Sequence, residues 1–302
     1  NKNSVENINS ISPNKISDLK LNKNSEILST PLPRIFGVFF NQNENPVFIN
    51  EEVRIALSRA INRKQIISEI LYGYGISIDS PVPSNSIFYI PNTEEVDKGI
   101  ESAKEILKKN GWSLNENGIL EKLTRKETTL LSFSISTANT PELKATAELL
   151  KSKWEKLGAQ VQLKIYEIGD LNQNVIRPRQ YDSILFGKVI GYSTDLFAFW
   201  HSSQRNDPGL NISMYTNISV DNLLEEIRVT NNEADQKIKF KDFQKEIYKD
   251  NPAIFLYSPY FVYISSKNIK NNPINQITIP SERFLDINNW YIKTDKVWKV
   301  FL

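Results

Sequence analysis

The sequence predicts an α/β protein, because its middle alternates segments of strand and helix character. Residues 129–136 and 160–167 are apolar stretches that suit strands, and 141–157 between them repeats apolar residues at helical spacing. A third apolar run, YDSILFG, follows at 181–187. Two strands joined through a helix predict a parallel pair with a right-handed crossover. With 40% hydrophobic residues over 302 positions, the chain can bury one large core or two smaller ones.

The N-terminal residues divide into two kinds of segment. Residues 1–30 are rich in Asn, Ser and Lys and follow neither a helical nor a strand period, so they predict a loose segment. The run IFGVFF at 35–40 combines aromatic and branched residues, which is typical of a buried strand. We therefore expect the chain to enter its core at this run.

The segment NEEVRIALSRAINRKQIISEILYGYG predicts one amphipathic helix, because its apolar residues recur on one face. Asn50 stands where it can cap this helix, and Glu51 and Glu52 favour its first turn. Gly73 is suited to end it.

A helix over about 96–109, stopped by Asn110-Gly111, is followed by the turn sequence NENG at 115–118. Together they predict a small helix-and-hairpin unit. The helix at 141–157 is bracketed by Thr140 and Pro141 before it and Gly158 after it.

The C-terminal part predicts two more helices and one strand. The helices are expected at about 219–229 and 233–250, and the run AIFLYSPYFVYI that follows Pro252 has the character of another buried strand. No fixed-period repeat and no long linker divides the sequence.

Composition excludes several classes of function. The 37 basic and 35 acidic residues nearly cancel, to a formal charge of +2, so no global field favours nucleic acid or an anionic membrane. The chain has no cysteine, and His201 is its only histidine, which argues against thiolate chemistry and multi-histidine metal sites. It carries no phosphate-binding glycine loop, nucleophile elbow or zinc-protease motif. We expect neither a metal nor an organic cofactor.

The stretch from Ile184 to Tyr215 holds the candidate ligand-binding residues. An apolar strand runs into a turn rich in Gly, Ser and Thr, where aromatic residues surround one carboxylate. A pocket at the carboxyl end of a strand is expected to have apolar walls and few polar anchors. The candidates are Tyr192, Asp195, Trp200 and His201.

A purely structural interpretation of these residues is equally open. The aromatic residues then belong to the core, and Asp195 caps a helix that begins at Leu196. His201, next to Trp200, suits a hydrogen-bonding role in a pocket or core, and a role as general base is the alternative.

Several motifs, in order, resemble the family 5 extracellular solute-binding proteins, which include peptide-binding components of ABC transporters. They are FFNQNENPVFINEEVRIALSRAINRKQII, AKEILKKNGW with NGIL, ATAELLKSKWEKLGAQVQLK, FWHSSQ, NISMYTNISVDNLLEEIR, FQKEIYKDNPAIFLYSPYFVY and RFLDINNWYIKT. The first departs from the family pattern, since Asn62 replaces the usual Asp and Val47 separates Pro46 from Phe48.

The resemblance implies a type II periplasmic-binding fold, with mainly one lobe present as a mixed sheet flanked by helices. Residues 37–255 would form the ligand-binding lobe, 1–36 the end of the other lobe or a hinge segment, and 256–302 a segment that returns to the other lobe. The lobe that precedes this sequence in family members would complete the cleft. The chain starts at Asn1 without a signal peptide, which we interpret as processing or truncation.

The resemblance also implies a function. The expected role is non-catalytic capture of peptides or peptide-like solutes for an ABC-transporter permease, outside the cytoplasm, by a membrane-anchored lipoprotein or a periplasmic protein. Nickel chelates, opines or sugars, peptide sensing, and more distantly a hydrolase are the alternatives. By analogy Asp195 would meet a peptide's α-ammonium; in the other register it forms a turn, and the amine-binding position falls near Ile190 or Gly191.

Overall fold

The computed structural model describes residues 7–9, 11–16, 19, 23–91, 97–125, 127–191, 194–274 and 277–292. Within this part of the chain no helix is both long and apolar enough to cross a membrane.

Thirteen strands lie in the described residues. They are β1 Asn7–Asn9, β2 Ser25–Pro31, β3 Arg34–Phe40, β4 Gly75–Ser77, β5 Trp112–Leu114, β6 Leu120–Leu123, β7 Thr128–Leu130, β8 Ser132–Ala138, β9 Gln160–Tyr166, β10 Ser183–Val189, β11 Ala253–Ser266, β12 Ile269–Lys270 and β13 Tyr291–Ile292.

Nine α-helical segments accompany them in the same residues. They are α1 Pro13–Ile16, α2 Glu51–Arg59, α3 Arg63–Glu69, α4 Gly99–Lys109, α5 Pro141–Leu157, α6 Ile168–Asp170, α7 Phe197–Trp200, α8 Ile218–Val229 and α9 Glu233–Asp250. A π-helical turn at Leu171–Ile176 and four short 3₁₀ turns complete the helical structure of these residues.

The main sheet is mixed, as the sequence predicts. Its strand order is β1-β11-β3-β10-β8-β9, with β2 and β4 also paired to β11. Strands β8, β9 and β10 run parallel to one another, whereas β3 is antiparallel to both β10 and β11. The predicted strand–helix–strand unit is therefore confirmed, and it extends to a third parallel strand. Strands β5, β6 and β7 form the predicted hairpin unit as a separate antiparallel sheet.

Helix α5 packs on the parallel strands and belongs to the large core. Its Trp154 is fully buried, packs edge-on against Phe133 and donates its indole N–H to the carbonyl of Leu57. Gly158 ends the helix at a φ of 108°, a left-handed conformation that favours glycine. Thr140 occupies the N-cap position, but its side chain makes no capping hydrogen bond.

The single helix predicted after Asn50 is wrong, because the structure has two helices, α2 and α3, with a break at 60–62. The side chain of Asn62 accepts a hydrogen bond from the Gln65 N–H, which starts α3 afresh. Asp97 accepts from the backbone N–H of Arg63 at 2.8 Å. Asn50 lies at the N-cap of α2, but its side chain does not cap the helix. The cap that Asn62 provides for α3 thus interrupts the single helix that the continuous stripe of apolar residues predicts.

The two arginines of the V-R-x-A-L-x-x-A-I-x-R motif serve the fold. Arg54 is buried and donates to four backbone carbonyls, among them that of Asp250 at the end of α9. Arg63 is buried as well; it donates to the carbonyl of Phe255 in β11 at 2.7 Å and forms an ion pair with Asp97. Each arginine ties a helix to a distant segment, which accounts for its place in the motif.

The prediction of a loose segment over residues 1–30 is wrong for β1 and β2, which are both strands paired to β11; residues 1–6, 10, 17–18 and 20–22 of this segment lie outside the described residues. Pairing with a partner far along the chain supplies the order that the local pattern does not show. The second half of β11 and β2 flank a small buried cluster of Leu32, Phe261, Tyr263 and Ile277, separate from the large core.

Candidate ligand-binding cleft

A cleft of about 390 Å³ lies at the carboxyl ends of the parallel strands. Ala138 ends β8, Phe186 and Gly187 come from β10, and Ile168 follows β9. Parallel strands gather their carboxyl ends at one edge, where ligands bind in open α/β sheets. The volume is within the range of small-ligand pockets. The remaining wall residues are Ile11, Pro13, Phe36, Leu71, Tyr74, Thr140, Glu142, Leu143, Tyr257, Pro259, Tyr260 and Val262.

Two stacked aromatic rings form one wall of the cleft. The rings of Phe36 and Tyr257 lie 5.0 Å apart at an interplanar angle of 11°. Gly187 leaves room for the Phe36 ring, because a Cβ at this position would come within 2.6 Å of two ring atoms. The Phe36 ring can therefore stack on Tyr257 in this position because residue 187 has no side chain.

The first turn of α5 forms the opposite rim. Pro141 has no N–H, and the N-cap side chain makes no capping bond, so the backbone N–H groups of Glu142 and Leu143 lack an intrahelical partner. Glu142 is a half-buried residue of the cleft wall. The pKa of Tyr257 is raised above its usual value, mainly by burial. The nearby charge of Glu142 adds to this shift, and a hydrogen bond from Thr146 opposes it.

The third side of the cleft is built by the residues just before β4, by β11, which pairs with β4, and by the N-terminal segment. The N–H of Tyr260 donates to the carbonyl of Tyr74 at 3.1 Å, which places two tyrosines side by side along the wall. Pro259 precedes Tyr260 in the same strand and lies opposite Gly75 in the register of β4. Ile11 and Pro13, from the N-terminal segment, close this side.

A second depression, of about 770 Å³, lies at the amino ends of β8 and β9. Its polar groups bind one another: the Ser134 hydroxyl donates to Asp182 at 2.8 Å, and the Ser132 hydroxyl donates to Gln160 at 3.0 Å. Because these groups satisfy each other, they are not arranged to receive a ligand. The cleft at the carboxyl ends is the candidate site.

Trp200, a candidate from the sequence, lies in the core and not in this cleft. Only 1% of it is exposed, and its ring contacts Phe39, Tyr215 and Phe255. The structure therefore supports the core interpretation of this aromatic residue; a contact between Trp200 and ligand stays a prediction.

Lys188 is buried beside Trp200, and the sequence analysis missed it. Its Nζ lies 4.3 Å from the ring centroid of Phe39 and 4.6 Å from that of Trp200, and its closest acceptor is the carbonyl of Phe199 at 3.4 Å. Burial lowers the pKa of this amine well below its usual value. The sequence did contain a signal for this burial. Ile184, Phe186 and Lys188 alternate along the strand and so share one face, which places the lysine on the same side as two apolar residues.

Asp195 binds an arginine in this structure. The Arg228 guanidinium donates to both carboxylate oxygens, at 2.7 to 3.2 Å, and the N–H of Phe197 donates to Oδ1 at 3.1 Å. The hydrogen bond from Arg228 lowers the pKa of Asp195. The bond from Phe197 supports the turn-forming role, whereas α7 itself begins at Phe197, with Leu196 at its N-cap and no side-chain capping bond. The assignment of Asp195 to a ligand's ammonium stays a prediction.

His201 caps a short turn. Its Nδ1 accepts the Ser203 N–H at 3.1 Å and lies 2.8 Å from the Ser203 hydroxyl, while Nε2 lies 3.4 Å from Glu225. Ser203, His201 and the Glu225 carboxylate are thus close together. Ser203 and His201 belong to the same turn, however, and the two contacts between them are those of a cap. His201 is 8% exposed and stacks on Phe197. It does not line the cleft.

Tyr192, the fourth candidate, lies outside the described residues. Two neighbours of this position have unusual backbone geometry, with φ of 73° at Gly191 and 49° at Thr194. A β-branched residue is strained at such a φ, and strain of this kind is concentrated at functional sites. Thr194 is held by a 3.0 Å hydrogen bond between its hydroxyl and that of Ser86.

The wall residues of the cleft were not predicted, because they come from seven separate parts of the sequence. The available signal was general: strands β8 and β10 are parallel, so Thr140, which follows β8, and Gly187, two residues before the end of β10, lie toward one edge of the sheet. No cluster of His, Cys, Asp and Glu in the described residues could hold a metal ion.

Comparison with known proteins gives a consistent family match. Residues 1–209 match the family described as "Bacterial extracellular solute-binding proteins, family 5 Middle". The oligopeptide-binding protein AppA of Bacillus subtilis is 26% identical over 264 residues, covering 84% of this chain and 46% of that protein. The dipeptide-binding protein of Escherichia coli is 22% identical over 246 residues, covering 81% and 44%.

Solved structures show the same fold. The structure of Bacillus subtilis AppA with a nonapeptide superposes with a TM-score of 0.80 at 23% identity, covering 96% of this chain and 56% of that one. NikZ of Campylobacter jejuni, in complex with Ni(L-His), superposes with a TM-score of 0.79 at 23% identity, covering 95% and 57%. The chain spans about half the length of the curated relatives it matches.

Proposed function

The chain belongs to the bacterial extracellular solute-binding proteins of family 5, and from this premise we propose that it supplies one wall of a cleft that captures peptides or peptide-like solutes. The role is passive: the solute is bound and handed to an ABC-transporter permease without being changed. The candidate ligand contacts are the residues of the cleft at the carboxyl ends of β8, β9 and β10.

The observation that carries this proposal is the position of the cleft. It combines the ends of parallel strands, the first turn of a 17-residue helix and the antiparallel pairing of β11 with β4. Several rigid elements thus meet around one apolar hollow, which is the arrangement of a preformed small-ligand site. Nothing in the wall resembles a nucleophile activated by a base, which supports a non-catalytic role.

We further propose that the cleft is completed by a second lobe, to which most of residues 1–36 and 256–302 belong; Ile35, Leu256 and Tyr257, near the edges of these ranges, pack in the large core of this lobe. The small cluster around Phe261 and Tyr263 supports this division, because it is separate from the large core. The C-terminal segment also carries exposed apolar side chains, which a partner lobe would cover. They include Leu285, Ile287, Tyr291 and Ile292, each more than half exposed.

Relatives of the chain differ in the solute for which they are named. They include oligopeptide-, dipeptide-, heme-, nickel- and glutathione-binding proteins. Peptides are favoured for this chain because aromatic and aliphatic walls fit side chains, and because backbone N–H groups at the start of α5 are free to pair with a peptide. Closure of the lobes around the solute would signal the permease, and we place the protein outside the cytoplasm, as a lipoprotein or in the periplasm.

The test is to purify the protein with its second lobe, denature it and identify the released small molecules by mass spectrometry. Peptides or related solutes are expected in stoichiometric amount, and adding them back should raise the melting temperature. Ile168→Arg places a charge at the cleft rim, where the native side chain is 53% exposed. Leu123→Arg is the matched control on β6, where the side chain is 66% exposed and distant from the cleft wall.

Ile168→Arg should weaken binding of the recovered solute about tenfold, while Leu123→Arg leaves it unchanged. A protein that releases no solute, and whose melting temperature responds to no peptide, would contradict the proposed function. Equal loss of solute binding in both variants would show that the solute does not bind in this cleft.

A further inference from the structure

We propose that the N-terminal part of the second lobe, which lies outside these 302 residues, places a carboxylate against a surface formed by Arg34, Arg283 and Trp290. This two-arginine surface lies apart from the candidate cleft, since none of the three residues lines it. The inference rests on the proposed function, from which it takes the second lobe, and it names the chemistry of that lobe's contact with this chain.

The two arginines lie against one short segment of the chain, around the 3₁₀ turn Pro280–Phe284. Arg34, the first residue of β3, donates from Nη2 to the carbonyl of Thr278 at 3.3 Å. Arg283 donates from Nη1 to the carbonyl of Pro280. Because the two acceptors are only two residues apart, both guanidinium groups belong to the same surface.

Each member of the surface has a buried N–H without an acceptor. These groups are Nε of Arg34, Nε of Arg283 and Nε1 of Trp290. The Phe284 ring joins two of the members, since its centroid lies 4.0 Å from the Arg283 guanidinium carbon and 5.6 Å from the centroid of the Trp290 ring. A buried donor without an acceptor destabilises the folded state. Three such donors at one place indicate acceptor groups that the described residues do not supply.

Neither arginine has a carboxylate partner among the described residues. Their ion pairs include neither Arg34 nor Arg283. Burial lowers the pKa of Arg34, as expected for a guanidinium that loses hydration.

Two acidic side chains do occupy the same segment. Glu282 accepts the backbone N–H of Thr278 at 2.5 Å, and Asp286 is exposed. Neither forms an ion pair with Arg34 or Arg283 in the described part of the chain. The surface thus lacks a partner for each guanidinium and is not marked by a net charge.

The apolar side chains beside this surface favour a protein partner over a dissolved ion. Ile279 is 47% exposed, Phe284 37% and Leu285 76%. A free anion could pair with an arginine but would leave these side chains in water, whereas a folded segment covers both kinds of group. A carboxylate is the acceptor that matches the guanidinium, because its two oxygens accept two parallel N–H groups.

The position of the surface indicates which part of the protein covers it. Leu32, close to Arg34 in sequence, and Tyr263 belong to the small buried cluster that the proposed division gives to the second lobe. The Arg283 guanidinium carbon lies 5.4 Å from the centroid of the Tyr263 ring. The chain spans about half the length of its curated relatives. In a protein of that length, the remaining half is available to complete this cluster and to cover the arginines.

The test forms a covalent link at the contact, in the protein with its second lobe. Arg283→Lys replaces the guanidinium by an amine, and a water-soluble carbodiimide joins an amine to an adjacent carboxylate as an amide while the reagent takes up the water. Digestion and tandem mass spectrometry identify the linked residues. We expect a link to an Asp or Glu of the N-terminal part, at least about tenfold more abundant than any from Arg125→Lys to that part, because adjacent groups react faster.

Three further variants make the result decisive. Arg177→Lys is the positive control, because Arg177 already lies 3.8 Å from Asp207 and should link to it. Arg125→Lys is the negative control, at an exposed position that joins no ion pair of the described residues. Arg34→Lys repeats the measurement at the second arginine and decides the question if Arg283→Lys does not fold.

A link from the substituted arginine to a carboxylate within the 302 residues would overturn the inference. So would the absence of a link while the Arg177→Lys control reacts. Solute binding is measured on the same variants, so that the two proposals are tested separately. No link with solute binding intact overturns this inference alone, whereas a protein that neither releases nor binds solute contradicts the proposed function whatever the links show.

Melting temperatures test a dissolved anion as the occupant. Sodium acetate and sodium chloride are compared at equal ionic strength, on the protein with its second lobe and on its Arg283→Gln variant. We expect both salts to act equally on the unsubstituted protein, because the second lobe already fills the surface. A larger rise with acetate that Arg283→Gln abolishes would overturn the inference in favour of a free carboxylate.

Discussion

Phe36 and Tyr257 are cross-strand neighbours whose rings stack at 5.0 Å because β11 contains a bulge between Phe255 and Tyr257. The register of β11 on β3 shifts at this point, which brings Tyr257 opposite Phe36. A bulge inserts one residue and re-aims the side chains that follow it. The aromatic wall of the cleft thus depends on an irregularity in the sheet.

Gly187→Ala should damage this wall. The new Cβ would lie 2.6 Å from the Phe36 ring, which must move away from Tyr257. We expect a loss of about 1–3 kcal/mol in the free energy of unfolding, more than alanine gains over glycine in a strand. Urea unfolding measures this change, and calorimetry should show weaker solute binding. Gly169→Ala is the control, since a Cβ there meets nothing within 4 Å; equal stability of both variants would show that Phe36 is free to move.

Arg63→Ala should be among the most destabilising single changes in this lobe. It removes the hydrogen bond to the Phe255 carbonyl and leaves Asp97, only 22% exposed, without its cation. Breaking a buried pair in this way costs about 3–5 kcal/mol. Chemical unfolding should show a large drop for Arg63→Ala and a drop below about 1 kcal/mol for Arg59→Ala, which lies in no ion pair of the described residues. Similar drops would mean that the ion pair contributes little.

Lys188 should make the stability of the protein depend on pH. Burial lowers its pKa in the folded state, so the unfolded chain binds more protons between that lowered pKa and the ordinary value of 10.5. Stability therefore rises with pH across this window, and it falls as pH decreases toward the lowered pKa. Lys188→Met should flatten that slope.

At neutral pH the Lys188→Met variant should gain about 1–3 kcal/mol, since it removes an amine whose closest acceptor is 3.4 Å away. Melting temperatures measured from pH 7 to pH 10 test both effects. Lys241→Met, at an exposed position of α9, should leave the slope unchanged. An unchanged slope in Lys188→Met would show that cation–π contacts with Phe39 and Trp200 hold the charged amine.

Asp195→Asn distinguishes the two roles of this carboxylate. Because Arg228 occupies it, we expect the affinity for acetylated and free-amine peptides to change equally, by less than about twofold, and the exposed ion pair to contribute about 0.3–1 kcal/mol to stability. The hydrogen bond from Arg228 lowers the pKa of Asp195, so this contribution is present near neutral pH and is lost as pH falls through the lowered pKa. Selective loss of free-amine peptides would restore Asp195 as the ammonium contact.

The regular elements could be predicted because their signals are local. The strand–helix–strand unit around α5, the hairpin after Gly111 and helices α8 and α9 each follow from a short apolar period with turn residues at the ends. The errors arise where distant contacts add to or override local signals: the break at Asn62 combines its own cap on α3 with the distant Asp97, and the strands near the N-terminus depend on β11. Both partners lie too far along the chain for a local pattern to reveal them.

The candidate site shows the same division. Of the predicted residues, Trp200 and His201 lie in or near the core, and Asp195 binds Arg228, whereas the cleft takes its wall from Phe36, Gly187, Tyr257 and others that no motif marks. The candidates from the sequence follow the third parallel strand, β10, which also contributes Phe186 and Gly187 to the cleft, and their contact with a ligand stays a prediction. The sequence does not show which side of that strand faces the hollow.

The sequence by itself determined the fold class, the parallel unit and the family, because apolar periods and ordered motifs are properties of neighbouring residues. Only the tertiary structure decided where the cleft lies, because its wall is assembled by sheet order, by the bulge in β11 and by the space left at Gly187. Such contacts join residues as far apart in the sequence as Phe36 and Tyr257, and their free energy depends on packing in three dimensions.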